Sequence, residues 1–271
     1  KKSWYPAGTF KTMTAQRALA ISSNTYMMHL AMLESNAKYT PSKYIKMNDN
    51  IFEKLRDQYQ RFGLGYKTGI DLPGEIDGYL GSTTNEYNAI KYGSALDESY
   101  GNYDAYTLIQ VAQYASTVAN GGYRMQPYIV DSIQKTTKSG EKGAVIYQHT
   151  PEILNRVDFT NAQLKVVKQG MYDAVNGNDP FMTASALRGM AQKVAAKTGT
   201  AQSFYYDQNN PDNTNPPATI THSFIGYAPA NDPKVVVAVV MPNFTSDSKS
   251  TYSLALAKTM FQDYFKMEGT N

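Results

Sequence analysis

The chain contains no cysteine, and this absence excludes several classes of protein at once. Thiol catalysis, disulfide scaffolds, iron–sulfur clusters and cysteine-based zinc sites all need a residue that is missing. The three histidines, His29, His149 and His222, stand alone without the paired spacing of a metal site. A nucleophilic hydrolase or transferase built on this sequence must therefore use serine or threonine. We expect a base other than histidine, and no metal or cofactor.

Strong net charge and long apolar runs are missing as well. The 26 Lys and Arg residues against 23 Asp and Glu leave a net charge of +3, and no basic run favours a nucleic-acid partner. No apolar run reaches the length of about 18 residues that a membrane-spanning helix needs. Hydrophobic residues make up 42% of the chain, which is enough to form a substantial core.

The length of 271 residues allows one large domain or two small ones. Because the sequence shows no internal repeat and no linker-like stretch, we predict a single domain over residues 1–271. The chain starts at Lys1 without a methionine, and we expect it to be the interior of a longer protein.

Hydrophobic periodicity predicts an α/β fold of the α+β kind. The last third has the order strand, loop, strand, turn, strand, helix, which predicts an antiparallel sheet flanked by helices. The first helical stretch is interrupted at Ser22-Ser23-Asn24, where a helix N-cap is favoured. Helices are expected over 14–34, 49–62, 104–119, 161–175 and about 250–266, and the sheet strands over 192–196, 222–227 and 234–241.

Two short motifs carry potential chemistry. Ser22-Ser23-Asn24 is a Ser-x-Asn string, which is a weak signal alone because a helix cap explains it equally well. Lys-Thr-Gly occurs twice, at Lys67-Thr68-Gly69 and at Lys197-Thr198-Gly199. The first leads into a turn and is typical of a connector. The second follows a strand of small residues, where the glycine would let a substrate backbone lie close and the lysine and hydroxyls would face an anionic group.

Together these motifs resemble the penicillin-recognising serine transferases, whose signature is Ser-x-x-Lys, then Ser-x-Asn, then Lys-Thr-Gly. The order and spacing are similar to those of class B, monofunctional penicillin-binding proteins, the D,D-transpeptidases, of Gram-positive type. The resemblance covers nearly the whole chain and implies a β-lactamase-like fold. The further segments that carry it are FGLG at 62–65 with TGIDLPGE at 68–75, YTLIQ at 106–110 with ANGG at 119–122, and HSFIGYAP at 222–229.

One part of the signature departs from that family. Its Ser-x-x-Lys lies several dozen residues before Ser-x-Asn, whereas only 21 residues precede Ser22. Ser-x-x-Lys strings start at Ser35, Ser139 and Ser246, all after Ser-x-Asn and none at an expected helix N-terminus. We therefore predict that the nucleophile lies before Lys1, so that this chain is the C-terminal major part of a transpeptidase domain with its N-terminal part absent.

The resemblance assigns catalytic roles to three residues. Ser22 would relay a proton between the lysines and the leaving-group nitrogen. Asn24 would hold the acyl-amide carbonyl of the substrate and help to orient the base lysine. Lys197 would add positive potential near Ser22 and near the substrate carboxylate.

It also assigns substrate-binding roles along the Lys-Thr-Gly strand. The hydroxyls of Thr198 and Thr200 would bind the terminal carboxylate of the substrate, and Gly199 would leave room for its backbone. The backbone N–H of Thr200 would form one half of the oxyanion hole, and the N–H of the absent serine would form the other. Gln202 would line the acyl-chain side of the cleft.

For the whole protein, the resemblance implies the activity of a serine-type D,D-transpeptidase. It would cross-link peptidoglycan stem peptides that end in D-Ala-D-Ala through a serine acyl-enzyme, and β-lactams would inhibit it. The implied location is the extracellular face of the cell membrane, with an anchoring N-terminal helix outside this chain. The implied partners are the N-terminal segment of the same protein and cell-wall assembly proteins, with roles in cell shape and antibiotic resistance. The chain alone is predicted to be inactive.

Three alternatives stay open. A β-lactam-sensing module would have the same fold and a persistent acylated form, fused to a transmembrane signalling segment. A D,D-carboxypeptidase or β-lactamase would pass the acyl group to water, and kinetics with an amine acceptor would separate it from a transpeptidase. A catalytically dead scaffold would bind wall-assembly partners and would have no Ser-x-x-Lys before Lys1.

Overall fold

A computed structural model describes residues 4–6, 8–210, 212–245 and 251–269. It contains the mixture of helices and antiparallel strands that the sequence predicts. A single 3₁₀ turn also lies within the described ranges, at Ser185–Leu187. The helices are α1 (Ala15–Ala20), α2 (Asn24–Glu34), α3 (Ile51–Arg61), α4 (Tyr92–Glu98), α5 (Leu108–Ala119), α6 (Asn161–Asn176) and α7 (Thr251–Met267), and the strands are β1 (Tyr123–Met125), β2 (Ser132–Thr136), β3 (Lys142–Gln148), β4 (Ile153–Arg156), β5 (Ala195–Phe204), β6 (Ala218–Ala228) and β7 (Val235–Phe244).

The central sheet has the strand order β5-β6-β7, and all its pairs are antiparallel. Alternate residues of its strands face two different cores, as expected for period-2 side chains. Phe224 packs with Phe261 of α7 on one face, whereas Tyr227 packs with Val118 of α5 and Met171 of α6 on the other. The predicted α+β class, with an antiparallel sheet flanked by helices, is confirmed.

Local sequence signals explain where the long helices start. Thr107 with Gln110, and Thr160 with Gln163, form complete capping boxes at α5 and α6. The prediction that a helix starts at residue 104 is therefore corrected to Leu108, because Thr107 is the N-cap and its hydroxyl accepts a hydrogen bond from the Gln110 N–H. The other predicted helices are observed with shifts of one or two residues at most of their ends.

The short helix α4 was not predicted. It spans only seven residues, and its buried Tyr92 and Ala95 pack in a satellite core with Ile51 and Phe52 of α3. Tertiary packing rather than local pattern stabilises a helix of this length. Two further antiparallel pairs, β1-β4 and the hairpin β2-β3, lie between α5 and α6. The sequence indicates short strand-like pieces over 126–135 and 144–148, which overlap β2 and β3, whereas β1 and β4 were not predicted.

Within the described ranges, no helix combines the length and the apolar character that crossing a bilayer requires. That residues 1–271 form one domain stays a prediction.

Candidate active site

Ser22 lies in the tight turn between α1 and α2. The Ser23 N–H donates to the Ala18 carbonyl at 2.8 Å and the Ser22 N–H donates to the Leu19 carbonyl at 3.2 Å, which is the pattern of a Schellman motif. The residue after the C-cap in this motif is usually glycine, yet Ser22 adopts the left-handed conformation with φ 55°. That conformation costs an L-residue roughly 1–2 kcal/mol. Ser42 is also left-handed, with φ 59°, so the strain makes Ser22 a candidate functional residue and does not by itself assign a role to its side chain.

The other residues of the motif start α2. Ser23 is the N-cap, and its Oγ accepts a hydrogen bond from the Tyr26 N–H at 3.3 Å. The Tyr5 hydroxyl lies 2.5 Å from the same Oγ and supports the cap from the N-terminal segment. The capping role therefore belongs to the middle residue of Ser-x-Asn. Ser22 and Asn24, which define the motif, lie on either side of it.

Lys197 of β5 contacts Ser22 although 175 residues separate them in the sequence. Its Nζ donates to Ser22 Oγ at 2.7 Å and to the Thr198 carbonyl at 2.5 Å. Burial of the ammonium group lowers the pKa of Lys197 to about 8, because desolvation disfavours the charged form. At pH 7 the side chain is mostly cationic, and the neutral form is far more accessible than for an exposed lysine. The pair can thus attract an anion and also exchange a proton through Ser22.

Both motifs face one cleft with a volume of about 880 Å³. Strand β5 forms a wall of this cleft. In the part of the sheet that the structure describes it pairs only with β6, so its other edge is available for backbone contacts with a ligand. The structure thus brings the seven predicted site residues together, with Lys197 in contact with Ser22. The six that line the cleft are Ser22, Asn24, Thr198, Gly199, Thr200 and Gln202.

Gly199 lies directly opposite a side chain of the neighbouring strand. It pairs with Ser223 of β6, and cross-strand partners present their side chains on the same face. A Cβ atom built at position 199 would lie well inside contact distance of Ser223 Oγ, although it would lie 3.6 Å from Ser223 Cβ. A side chain at position 199 would therefore force the Ser223 hydroxyl to move, which is a second reason for glycine here. The close approach of a substrate backbone to Gly199 stays a prediction.

The two Lys-Thr-Gly strings lie in different surroundings. Thr68 of the first string is buried, and its N–H and hydroxyl donate to Glu75 at 2.6 and 2.5 Å. The Gly69 N–H donates to the other oxygen of Glu75 at 3.0 Å. One carboxylate therefore closes this loop, as the turn-rich sequence predicts, and the string is a connector.

Three of the four Ser-x-x-Lys serines lie within the described ranges, and none of them lines the cleft. Ser132, which starts a string that the sequence reasoning missed, is the first residue of β2. Ser35 is the C-cap of α2; it is buried, and its Oγ accepts a hydrogen bond from the Asn48 N–H. Ser139 lies in the exposed turn between β2 and β3, with its Oγ 2.9 Å from the Thr137 hydroxyl. Ser246 lies outside the described residues.

Part of the cleft was missed by reasoning from the sequence. Ser223 stands inside the 222–229 segment that carries the resemblance, and its pairing opposite Gly199 is visible only in the sheet register. No sequence pattern predicted the part of the cleft wall that follows α4, since that helix is too short for its hydrophobic periodicity to be detected. The missed lining residues with polar side chains are Asp97, Tyr100, Asn102, Thr183 and Ser223.

Comparison with known proteins gives one consistent family. The family described as "Penicillin binding protein transpeptidase domain" matches residues 1–266. Penicillin-binding protein H of Bacillus subtilis (strain 168) is 38% identical over 268 residues, covering 99% of this chain and 36% of that protein. Penicillin-binding protein 2A of the same organism is 36% identical over 272 residues, with coverage of 99% and 36%.

A solved structure of penicillin-binding protein 2B from Streptococcus pneumoniae (strain R6) matches with a TM-score of 0.86 and 30% identity. The match covers 99% of this chain and 42% of that one. The chain spans about a third of the length of the curated relatives that it matches, 36% in both Bacillus proteins. The family and the Gram-positive relatives are those that the motifs predict. The chain therefore belongs to the penicillin-binding protein transpeptidase domain family, of the class B type.

Proposed function

We propose that the chain is part of a peptidoglycan D,D-transpeptidase and supplies the Ser-x-Asn and Lys-Thr-Gly motifs to its active site. The observation that carries this proposal is the 2.7 Å hydrogen bond from Lys197 Nζ to Ser22 Oγ beside a cleft that both motifs line. In the proposed reaction a serine oxygen attacks the penultimate D-Ala carbonyl of a stem peptide. An ester forms, the terminal D-Ala leaves with a proton, and an amine then displaces the serine.

Ser22 and Lys197 are proposed to move the proton that the leaving D-Ala nitrogen needs. The lowered pKa of Lys197, about 8, supports this role, because a group that changes protonation near neutral pH transfers protons most effectively. Asn24 starts α2 beside Ser22 and lines the cleft, which suits an amide that holds the acyl-amide carbonyl of the substrate and orients the base lysine.

The free edge of β5 is proposed to bind the stem peptide as an added strand. Thr198 and Thr200 would bind the terminal carboxylate with their hydroxyls, and Lys197 lies close enough to strengthen that contact electrostatically. Gln202 would contact the acyl chain further along the strand. The Thr200 N–H would supply half of the oxyanion hole. One such donor is worth about 2.7–4 kcal/mol in the transition state, so half a hole gives little catalysis.

We propose that the nucleophile belongs to a segment outside these 271 residues. The positions of Ser35, a buried helix cap, and of Ser139, in an exposed hairpin turn, support this proposal because neither serine lines the cleft. The chain alone is then inactive. For the whole protein we propose the extracellular face of the cell membrane as its location, an anchor outside this chain, β-lactams as inhibitors and cell-wall assembly proteins as partners.

Labelling with a fluorescent penicillin tests the proposal. The 271-residue chain should stay unlabelled and should not turn over a depsipeptide thioester, whereas a longer chain that includes the preceding Ser-x-x-Lys segment should do both. In the longer chain, Lys197→Ala should abolish labelling or slow it at least a hundredfold. The matched control is Lys67→Ala, which removes the exposed lysine of the other Lys-Thr-Gly string and should label at the wild-type rate.

Two results would contradict the proposal. Covalent labelling of the folded 271-residue chain would show that its nucleophile is present after all. A longer chain that carries Ser-x-x-Lys, folds and still fails to label would refute the acyl-transfer function itself.

A further inference from the structure

Two consecutive aromatic residues, Trp4 and Tyr5, contact the chain on either side of Ser22. The Trp4 indole Nε1–H donates to the Ile21 carbonyl at 2.8 Å. The Tyr5 hydroxyl lies 2.5 Å from Ser23 Oγ, and either oxygen can be the donor. Both chain neighbours of Ser22 are therefore hydrogen-bonded to a single dipeptide, to which the proposed mechanism has so far given no role.

The hydrogen bond from Trp4 fixes the peptide plane that leads into Ser22. The Ile21 carbonyl belongs to the planar peptide unit that joins Ile21 to Ser22, so holding its oxygen restricts rotation about the N–Cα bond of Ser22. Ile21 is the C-cap of α1, and carbonyls at a helix C-terminus have no partner within their own helix. The Trp4 N–H thus supplies a partner to the carbonyl of the buried Ile21 and holds Ser22 at its left-handed φ of 55°.

The hydrogen bond from Tyr5 fixes the residue that follows Ser22. Ser23 is the buried N-cap of α2, and its Oγ also accepts the hydrogen bond from the Tyr26 N–H. A serine hydroxyl has one donor and two acceptor positions, so it can bind the Tyr26 N–H and the Tyr5 hydroxyl at the same time. The start of α2 is thereby held by the N-terminal segment, and the turn at Ser22 is fixed at both of its ends.

The dipeptide is itself anchored by an aromatic cluster, which consists of Trp4, Tyr5, Phe10 and Phe181. The rings in contact are arranged edge to face, with centroids 5.0–6.2 Å apart. The Arg17 guanidinium of α1 lies 4.1 Å from the centroid of the Phe10 ring. Phe181 follows α6, so the dipeptide is held by segments that are distant in sequence. A group on such a supported segment can position another group precisely.

The position of Ser22 matters because its contact with Lys197 is sensitive to distance. Lys197 Nζ donates to Ser22 Oγ at 2.7 Å. A movement of Ser22 away from Lys197 by roughly 1 Å would break this hydrogen bond, and misplacement of that size at a catalytic group costs about a hundredfold in rate. A strained residue keeps its conformation only where its surroundings enforce it, and the hydrogen bonds from Trp4 and Tyr5 do so on both sides of Ser22.

We infer that Trp4 and Tyr5 are positioning residues that hold the Ser22 hydroxyl within hydrogen-bond distance of Lys197; this inference rests on the proposed transpeptidase function. Their hydrogen-bonding groups act on the backbone and on the helix cap beside Ser22, and the proton transfer itself stays with Ser22 and Lys197. Trp4 also lines the cleft. The test must therefore separate the effect of its N–H from contact between its ring and a ligand.

The test uses variants that remove one hydrogen-bonding group and keep an aromatic ring. In the longer chain that carries the nucleophile, Trp4→Phe and Tyr5→Phe are acylated with a fluorescent penicillin over a range of concentrations. Each variant should lower the acylation rate constant at saturation about five- to tenfold, because the remaining hydrogen bond still holds the turn in part. The half-saturating concentration and the final labelled fraction should stay at their wild-type values.

A second arm asks whether the effect passes through Ser22. In Ser22→Ala the hydroxyl that needs positioning is gone, so adding Trp4→Phe or Tyr5→Phe should cause no further loss of the acylation rate constant. The matched control is Tyr147→Phe, which removes a tyrosine hydroxyl that lies 3.3 Å from His149 Nδ1 outside the cleft. This control should label at the wild-type rate.

Four results would overturn the inference. Unchanged rate constants in both variants would show that neither hydrogen bond matters, and a higher half-saturating concentration alone would show that Trp4 only contacts the ligand. A smaller labelled fraction with a wild-type rate constant would show a purely structural role. The same further loss in the Ser22→Ala background would show that the effect does not pass through Ser22. All four presuppose a wild-type chain that acylates, whereas a folded wild-type chain that never acylates overturns both proposals.

Discussion

Replacement of Lys197 by methionine should remove a pH-dependent contribution to the stability of the fold. Methionine has nearly the length of lysine but no charge, so it fills the space beside Ser22 without a buried ammonium. Two hydrogen bonds from Nζ are lost, to Ser22 Oγ and to the Thr198 carbonyl, and this loss is common to all pH values. The dependence on pH isolates the cost of burying the charge.

The sign of the effect follows from the lowered pKa of Lys197. Below pH 8 both the folded and the unfolded wild-type chain hold the proton, and the penalty for burying the ammonium is fully present. Between pH 8 and 10.5 the unfolded chain holds a proton that the folded chain has lost, so the free energy of unfolding rises with pH. At about 1.4 kcal/mol per pH unit, the free energy of unfolding of the wild-type chain rises by at most roughly 3 kcal/mol over this interval. The Lys197→Met chain lacks this rise.

The assay is urea unfolding of the 271-residue chain, followed by far-UV circular dichroism, at several values between pH 7 and 10.5. The stability of Lys197→Met relative to wild type should fall by about 2–3 kcal/mol across that range. Lys165→Met, at an exposed position on α6, is the control for the loss of one positive charge and should show little of this change. A difference between Lys197→Met and wild type that is constant with pH would refute the burial of a charged Lys197.

Two further predictions concern the backbone of the site. Ser22→Gly and Ser22→Ala both remove the hydroxyl, but only glycine relieves the left-handed strain. Urea unfolding should therefore find Ser22→Gly more stable than Ser22→Ala by about 1 kcal/mol. Equal stabilities of the two variants would contradict the strain. Gly199→Ala should cost roughly 1–2 kcal/mol through overpacking against Ser223. Ser223→Ala should recover most of this cost in the double variant, and additive losses would show that Ser223 is not the obstacle.

The sequence predicted much of the fold because its signals are local. The helix α6 follows from a capping box and a long amphipathic pattern, and it is observed over Asn161–Asn176. By contrast, α4 has seven residues and depends on contacts of Tyr92 and Ala95 with residues of α3 about 40 positions earlier in the chain. No local pattern encodes such contacts, so the cleft wall that carries Asp97 could not be foreseen.

The candidate site divides in the same way. Its residue types were recognisable from Ser-x-Asn and Lys-Thr-Gly, and the turn after Lys67 distinguishes the connector copy from the copy at Lys197. The capping signal at Ser22-Ser23-Asn24 was also real, but the structure assigns it to Ser23 and leaves Ser22 and Asn24 facing the cleft. A cap and a functional motif occupy the same three residues without competing.

The family, the α+β class and the identity of the motif residues follow from the order of residues alone, because motifs, caps and hydrophobic periods depend on neighbours within a few positions. The environment of those residues follows only from the folded chain. The lowered pKa of Lys197 depends on desolvation by distant elements, and the space available for a side chain at position 199 depends on Ser223 in the neighbouring strand. Both effects arise where segments far apart in sequence pack against each other, and their strength is set by distance and by the exclusion of water.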